Sequence, residues 1–169
     1  MTHTSAIFLG DIAVGKTTFL TTVSEGRLRE NIKSTLGVDN IVCRDGQEIL
    51  RCWDTSGSDR FVHVVPLFAR RCDIAVYVYD ARRPQTFENI AKWHDLVRGV
   101  EDAPTEHVVL ALKLDAGSPT VKYPGMDILD GRYPREVVRE LIDRSRRHRA
   151  SFDVEVQHRQ RQCCFGLCM

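Results

Sequence analysis

Three apolar runs, Ala6-Ile7-Phe8-Leu9, Ile74-Ala75-Val76-Tyr77-Val78-Tyr79 and Val108-Val109-Leu110-Ala111-Leu112, are uninterrupted by charge. Such runs suit strands buried on both faces of a parallel sheet. Residues 38–43 and 48–53 flank Arg44-Asp45-Gly46-Gln47, whose Asp-Gly pair signals a hairpin and hence one antiparallel pair. Residues 84–97 predict a helix with Pro84 in its first turn and with Phe87, Ile90, Ala91 and Trp93 inward. Pro66 predicts a short helix that is kinked or begins there. Residues 115–133 carry Gly117, Pro119, Pro124, Gly125 and Asp130-Gly131, the composition of a surface excursion. Pro134 then opens an amphipathic helix through Val137, Val138, Leu141 and Ile142 that ends in Arg144, Arg146, Arg147, His148 and Arg149. That basic run suits a solvated helix end or an anionic surface. Residues 152–156 read as a last strand, and 158–169 show no helical apolar stripe, so a final covering helix is expected to be missing. Strand-like and helix-like segments alternate as in a doubly wound α/β domain, expected over 1–157 with a tail at 158–169.

The first strand runs straight into Gly10-Asp11-Ile12-Ala13-Val14-Gly15-Lys16-Thr17, and Thr18 begins the next helix. This is the strand–loop–helix setting of a phosphate cradle. Gly10 and Gly15 let backbone N–H groups turn inward, Lys16 reaches the β- and γ-phosphates, and the Thr17 hydroxyl can ligate Mg²⁺. Thr35 lies where a second hydroxyl can close on the same ion and release on hydrolysis. In Trp53-Asp54-Thr55-Ser56-Gly57, Asp54 ends a strand and reaches the metal through water, while the Gly57 N–H faces the γ-phosphate.

In this order, Ser34-Thr35-Leu36-Gly37-Val38-Asp39, Trp53-Asp54-Thr55-Ser56-Gly57-Ser58-Asp59-Arg60-Phe61 and Thr86-Phe87-Glu88-Asn89-Ile90-Ala91-Lys92-Trp93 resemble the Rab family of Ras-like small GTPases. The resemblance implies a three-layer P-loop NTPase domain with a mostly parallel six-stranded sheet and one antiparallel strand. It also implies a GTP/GDP switch with Mg²⁺ that recruits effectors in vesicle trafficking and is served by an exchange factor and a GTPase-activating protein. Trp53 and Phe68 stand where that family presents aromatic effector contacts, but Asn40 replaces the third.

Departures from the family cluster around the base and the reacting water. Lys113 and Asp115 remain in Leu112-Lys113-Leu114-Asp115, but Leu112 replaces an asparagine, Leu28 replaces a stacking aromatic, and Glu155-Val156-Gln157 replaces a Ser-Ala-Lys loop. Weak, guanine-biased binding is expected. Ser58 replaces the glutamine that orients water and Ile12 adds bulk, so intrinsic hydrolysis should be slow. The alternatives are a pseudo-GTPase interaction scaffold and a phosphate-loop kinase or ATPase, the latter disfavoured by Thr35, by Asp54 to Gly57 and by Asp115.

Charge and composition narrow the setting. A net charge of +1 argues against a nucleic-acid binder, and 43% hydrophobic content over 169 residues suffices for a core without disulfides. No signal peptide is readable, and no apolar run approaches the about 18 residues of a membrane span. A cytoplasmic protein, peripheral on the cytosolic face of endomembranes, is expected. Cys43, Cys52 and Cys72 read as small buried residues. Cys163, Cys164 and Cys168 crowd the tail and are candidates for lipidation, beside Arg159 and Arg161.

Overall fold

Side chains along β1 (His3–Leu9) alternate between two separate cores, which is how one strand comes to organise both faces of the domain. Ala6 and Phe8 join Leu20, Leu50, Val76, Leu110 and Leu141 on one face, whereas Ile7 and Leu9 join Tyr77, Ile90, Trp93, Val97 and Val109 on the other. The computed structural model describes residues 3–30, 32–70, 72–115 and 121–165.

After β1 come α1 (Lys16–Glu25), β2 (Val38–Asp45) and β3 (Glu48–Thr55). A 3-10 turn (Asp59–Val64), α2 (Val65–Ala69), β4 (Ile74–Asp80), α3 (Pro84–Glu88) and α4 (Ile90–Arg98) follow. The chain continues with β5 (Glu106–Leu112), β6 (Ile128–Asp130) and α5 (Pro134–Phe165). The sheet order is β2-β3-β1-β4-β5-β6, antiparallel only between β2 and β3. The hairpin turns at Gly46, whose φ of +60° suits a residue without Cβ. Every strand except β2 therefore ends at one edge, and that edge carries the loops of interest.

Two expectations about the chain's end are corrected. Residues 152–156 form no strand, because they lie within α5; the sixth strand is the three-residue β6, inside the supposed excursion. No final helix is missing either. The helix opened by Pro134 is itself the last one, and it seats Val137, Val138, Leu141 and Ile142 in the core shared with α1. The short segment is instead the parallel β5–β6 connection, which carries no helix among its described residues although such crossovers usually contain one. Tyr123 and Met126 cover that flank, with Tyr123 edge-on to Phe87 at 5.9 Å and Phe87 edge-on to Tyr79 at 5.0 Å.

Smaller corrections follow local geometry. The expected helix over 84–97 is divided at Asn89 into α3 and α4, and Ala91 is exposed rather than inward. Pro66 sits in the first turn of α2, where its missing N–H costs no helical bond. Five arginines of α5 are paired among the described residues, Arg147 with Glu140 being one. Arg139 pairs with Asp45, Arg146 with Glu48, Arg144 with Asp127 and Glu140, and Arg149 with Asp73. Cys43, Cys52 and Cys72 are free and buried, as expected of small apolar residues.

Candidate functional site

Gly10 leaves β1 at φ +144°, and a Cβ there would lie 2.2 Å from the Val78 carbonyl oxygen, so only glycine lets the loop turn this close to β4. Ala13 and Gly15 continue the turn with positive φ, and Lys16 then starts α1. The Lys16 side chain is buried, and its Nζ donates to the carbonyls of Gly10 at 2.7 Å and Asp11 at 2.9 Å. Burial lowers its pKa to about 8 against the pull of Asp54 and Asp11, so an anion brought beside it would restore what desolvation removes. A cavity of about 260 Å³ opens here between Gly15, Lys16, Thr17, Thr35, Ser56 and Lys113, with Ile12, Ala13 and Thr18 also on its wall. Val14 is buried in the core below it.

Asp11 shows how the loop is held. Its carboxylate accepts from Asn89 Nδ2 at 2.7 Å and Trp93 Nε1 at 2.9 Å, so the phosphate loop is tied to the break between α3 and α4. Sequence reading had put Trp93 in the core and given Asn89 no role. Both donors are remote from Asp11 in the chain, by 78 and 82 residues, so no local spacing signals the clamp.

Thr17, Thr35 and Asp54 arrive from α1, the loop before β2, and the end of β3, and they meet. Thr17 Oγ1 donates to Asp54 Oδ2 at 2.6 Å, Thr35 Oγ1 donates to the same oxygen at 2.9 Å, and the two hydroxyls are 2.8 Å apart. Asp54 Oδ1 is buried without a hydrogen-bond partner among the described residues. Burial pushes the Asp54 carboxyl above its usual range, and the two threonine hydroxyls and Lys16 oppose that shift. Two hydroxyls, a carboxylate and an orphaned buried oxygen are the hard donors that Mg²⁺ takes. These residues fit the ion that the phosphate cradle implies.

Gly57 closes the site from the other side. At φ +72°, a Cβ on it would lie 2.4 Å from the Gly10 carbonyl oxygen and 2.7 Å from that of Asp11, which brings this backbone against the phosphate loop. The Ser56 N–H donates to the Gly37 carbonyl at 2.9 Å and joins the loops that carry Thr35 and Gly57. Ser58 faces elsewhere: its hydroxyl accepts from the Arg60 N–H at 3.4 Å and caps the 3-10 turn.

The base-side residues are brought together in part. Lys113, at φ +58°, donates to the Ala13 carbonyl at 2.9 Å and to Asp80 Oδ2 at 2.8 Å. Asp80 also accepts from Arg83 Nε at 3.0 Å, and Arg83 reaches the Ile12 carbonyl at 3.3 Å. Burial opposes ionisation of Asp80, but the bonds from Lys113, the Arg82 N–H and Arg83 hold its carboxyl below the usual range. Sequence reading missed this carboxylate. Leu112 is buried, with one methyl against Gly15 and the other against Gly131. Asp115 is exposed and paired with Arg82. Leu28 is exposed and lines a groove with Arg29 and Ile32 that adjoins Thr17. The turn after β6 is Gly131-Arg132-Tyr133, so Glu155-Val156-Gln157, which lie inside α5, are not the loop beside the base.

The family profile for "Ras family" matches residues 5–147. The chain belongs to the Ras family. Within it the similarity is to Rab proteins. The chain is 33% identical over 148 residues to "Ras-related protein RABG1" of Arabidopsis thaliana, covering 84% of this chain and 67% of that one. It is 36% identical over 118 residues to "Ras-related protein Rab-7a" of Paramecium octaurelia, with 64% and 57% covered. It is 35% identical over 119 residues to "Ypt/Rab-type GTPase YPT7" of Saccharomyces cerevisiae, with 65% and 57% covered. The chain thus spans little more than half the length of the last two of these relatives. The six-stranded sheet with its single antiparallel strand is the Ras-like P-loop fold, and the chain is a Rab-family small GTPase by sequence.

Proposed function

We propose that the protein is a GTP/GDP-dependent switch with slow intrinsic hydrolysis that recruits effectors in vesicle trafficking. The observation that carries this reading is the meeting of Thr17, Thr35 and Asp54 beside the buried Lys16, with one Asp54 oxygen left unpartnered. In this reading Gly10 to Thr18 hold the polyphosphate of GTP, Lys16 offsets its β- and γ-charge, and Lys113 and Asp115 address the base. Thr17, Thr35 and, through water, Asp54 would hold Mg²⁺, which would supply neutralising charge to the phosphate oxygens. Thr35 and the Gly57 N–H sense the γ-phosphate, and loss of it releases both loops. Ser58, engaged in capping the 3-10 turn, does not position water, so hydrolysis waits for an activating protein.

Trp53 and Phe68, with ring centroids 4.9 Å apart, suit an aromatic contact for an effector, with Asn40 opposite Trp53 in the hairpin. No helix among the described residues is long and apolar enough to cross a membrane, so attachment would rest on partners or on lipid. Cys163 and Cys164 lie in the backbone span of α5, and Cys168 is outside the described residues. Lipidation of these cysteines beside basic residues would give reversible anchoring on the cytosolic face of endomembranes. Native mass spectrometry of freshly purified protein tests the nucleotide reading: a bound nucleotide with Mg²⁺ is expected. A bare chain that takes up no nucleotide on adding GDP and Mg²⁺ would remove it.

A further inference from the structure

On the base side of this site the backbone donors of one turn and the carboxylate of Asp115 each have a partner within the protein. All three backbone donors of the turn after β6 are committed. The Gly131 N–H donates to the Ala111 carbonyl at 2.9 Å, the Arg132 N–H to Asp130 Oδ1 at 2.9 Å, and the Tyr133 N–H to the Asp130 carbonyl at 3.2 Å. None of these three is left to meet the O6 acceptor of guanine. Pro134, next in line, has no N–H to offer.

Leu112 removes the side-chain amide that could bridge these elements. Its methyls occupy the gap between Gly15 and Gly131, where a Cβ on Gly131 would come within 2.3 Å of Leu112 Cδ2. The neighbouring cavity, about 220 Å³, is walled by Val14, Phe19, Leu112, Gly131 and Pro134, with Lys113 at its side. Asp115, the carboxylate to which the resemblance gives the N1–H and exocyclic amine of guanine, is held by Arg82 in an exposed ion pair.

We infer that this site selects its nucleotide by polyphosphate and metal and separates guanine from adenine only weakly, with Arg82 as the residue that holds the guanine-reading carboxylate back. The inference rests on the nucleotide-switch reading and refines its substrate class to purine nucleotides at large. Sites built to hydrogen-bond a substrate group reject analogues lacking it by about 10⁴-fold or more, whereas apolar pockets discriminate by about 10–200-fold. The base side here belongs to the second kind.

The test is calorimetric titration of the full chain, freed of nucleotide, with GDP, ADP and IDP in the presence of Mg²⁺. Parent dissociation constants for GDP and ADP should differ by less than about 200-fold, and IDP, which lacks the exocyclic amine, should match GDP closely. Arg82→Ala and Arg82→Gln free Asp115 and should raise the GDP preference about two- to fivefold, the scale of an exposed ion pair. Both variants change an exposed side chain, so folding should be preserved. A parent preference for GDP near a thousandfold, or a ratio unchanged in both Arg82 variants, would overturn the inference while leaving the switch reading intact. Binding of no nucleotide at all would overturn both.

Discussion

Ile12 stands more than half exposed, at 55%, on the phosphate loop, and its carbonyl is approached by Arg83. An arginine supplied by an activating protein to stabilise the transition-state charge would have to share that flank with Ile12 and Arg83. The Ser58 hydroxyl accepts from the Arg60 N–H, and in the proposed reading it does not orient the reacting water. In GTP-loaded protein, single-turnover decay should therefore be slow, and the Ile12→Gly, Ser58→Gln double variant should be faster by at least about tenfold, or ~1.4 kcal/mol of barrier. Equal rates would show that neither residue limits the step. Gly57 offers a second test. Its missing Cβ would overlap the Gly10 and Asp11 carbonyls, so Gly57→Ala should lift this loop from the phosphate loop. The triphosphate should then lose about tenfold in affinity relative to the diphosphate, about 1.4 kcal/mol of differential binding, as read by titration with each.

Residues of this kind were legible because their signal is local. Gly10 to Thr17 is a contiguous pattern, and Thr35 and Asp54 keep their order behind it. The clamp on Asp11 was not legible, because Asn89 lies 78 residues away and Trp93 82. The same holds for Asp80, which joins Lys113 to Arg83, and for the pairing of Arg82 with Asp115. Long-range pairing leaves no spacing to read.

Among the elements, α5 separates the observed architecture from the sequence expectation most sharply. Three residues of β6, each only partly buried, are too short a run to stand out from the turn residues around them. Missing that strand moved the last strand to 152–156 and turned the covering helix into an absent one. The helix at Pro134 was itself legible, because Val137, Val138, Leu141 and Ile142 keep helical spacing. Leu141 is fully buried between α1 and the sheet. Leu141→Ala should cost about 2–5 kcal/mol in urea unfolding, through lost transfer energy and a residual cavity. A change below about 1 kcal/mol would mean that α5 does not cover this face. The ion pairs from Arg139 and Arg146 to the hairpin are solvent-screened and contribute less.

Across the whole molecule, the parallel sheet delivers the ends of β1, β3, β4 and β5 to one edge, and the functional loops are the connections that leave it. Two of those loops are joined directly by the Ser56 N–H on the Gly37 carbonyl, and both reach the phosphate side through Thr35 and Gly57. They should therefore order together when a γ-phosphate is present and loosen together when it is not. Backbone hydrogen exchange reads this coupled response of the two loops. With Mg²⁺ and a non-hydrolysable GTP analogue, residues 34–37 and 56–61 should exchange more slowly than with Mg²⁺ and GDP, while β4 and β5 stay equally protected in both. Equal exchange of the two loops in the two nucleotide states, at saturating ligand, would contradict the account.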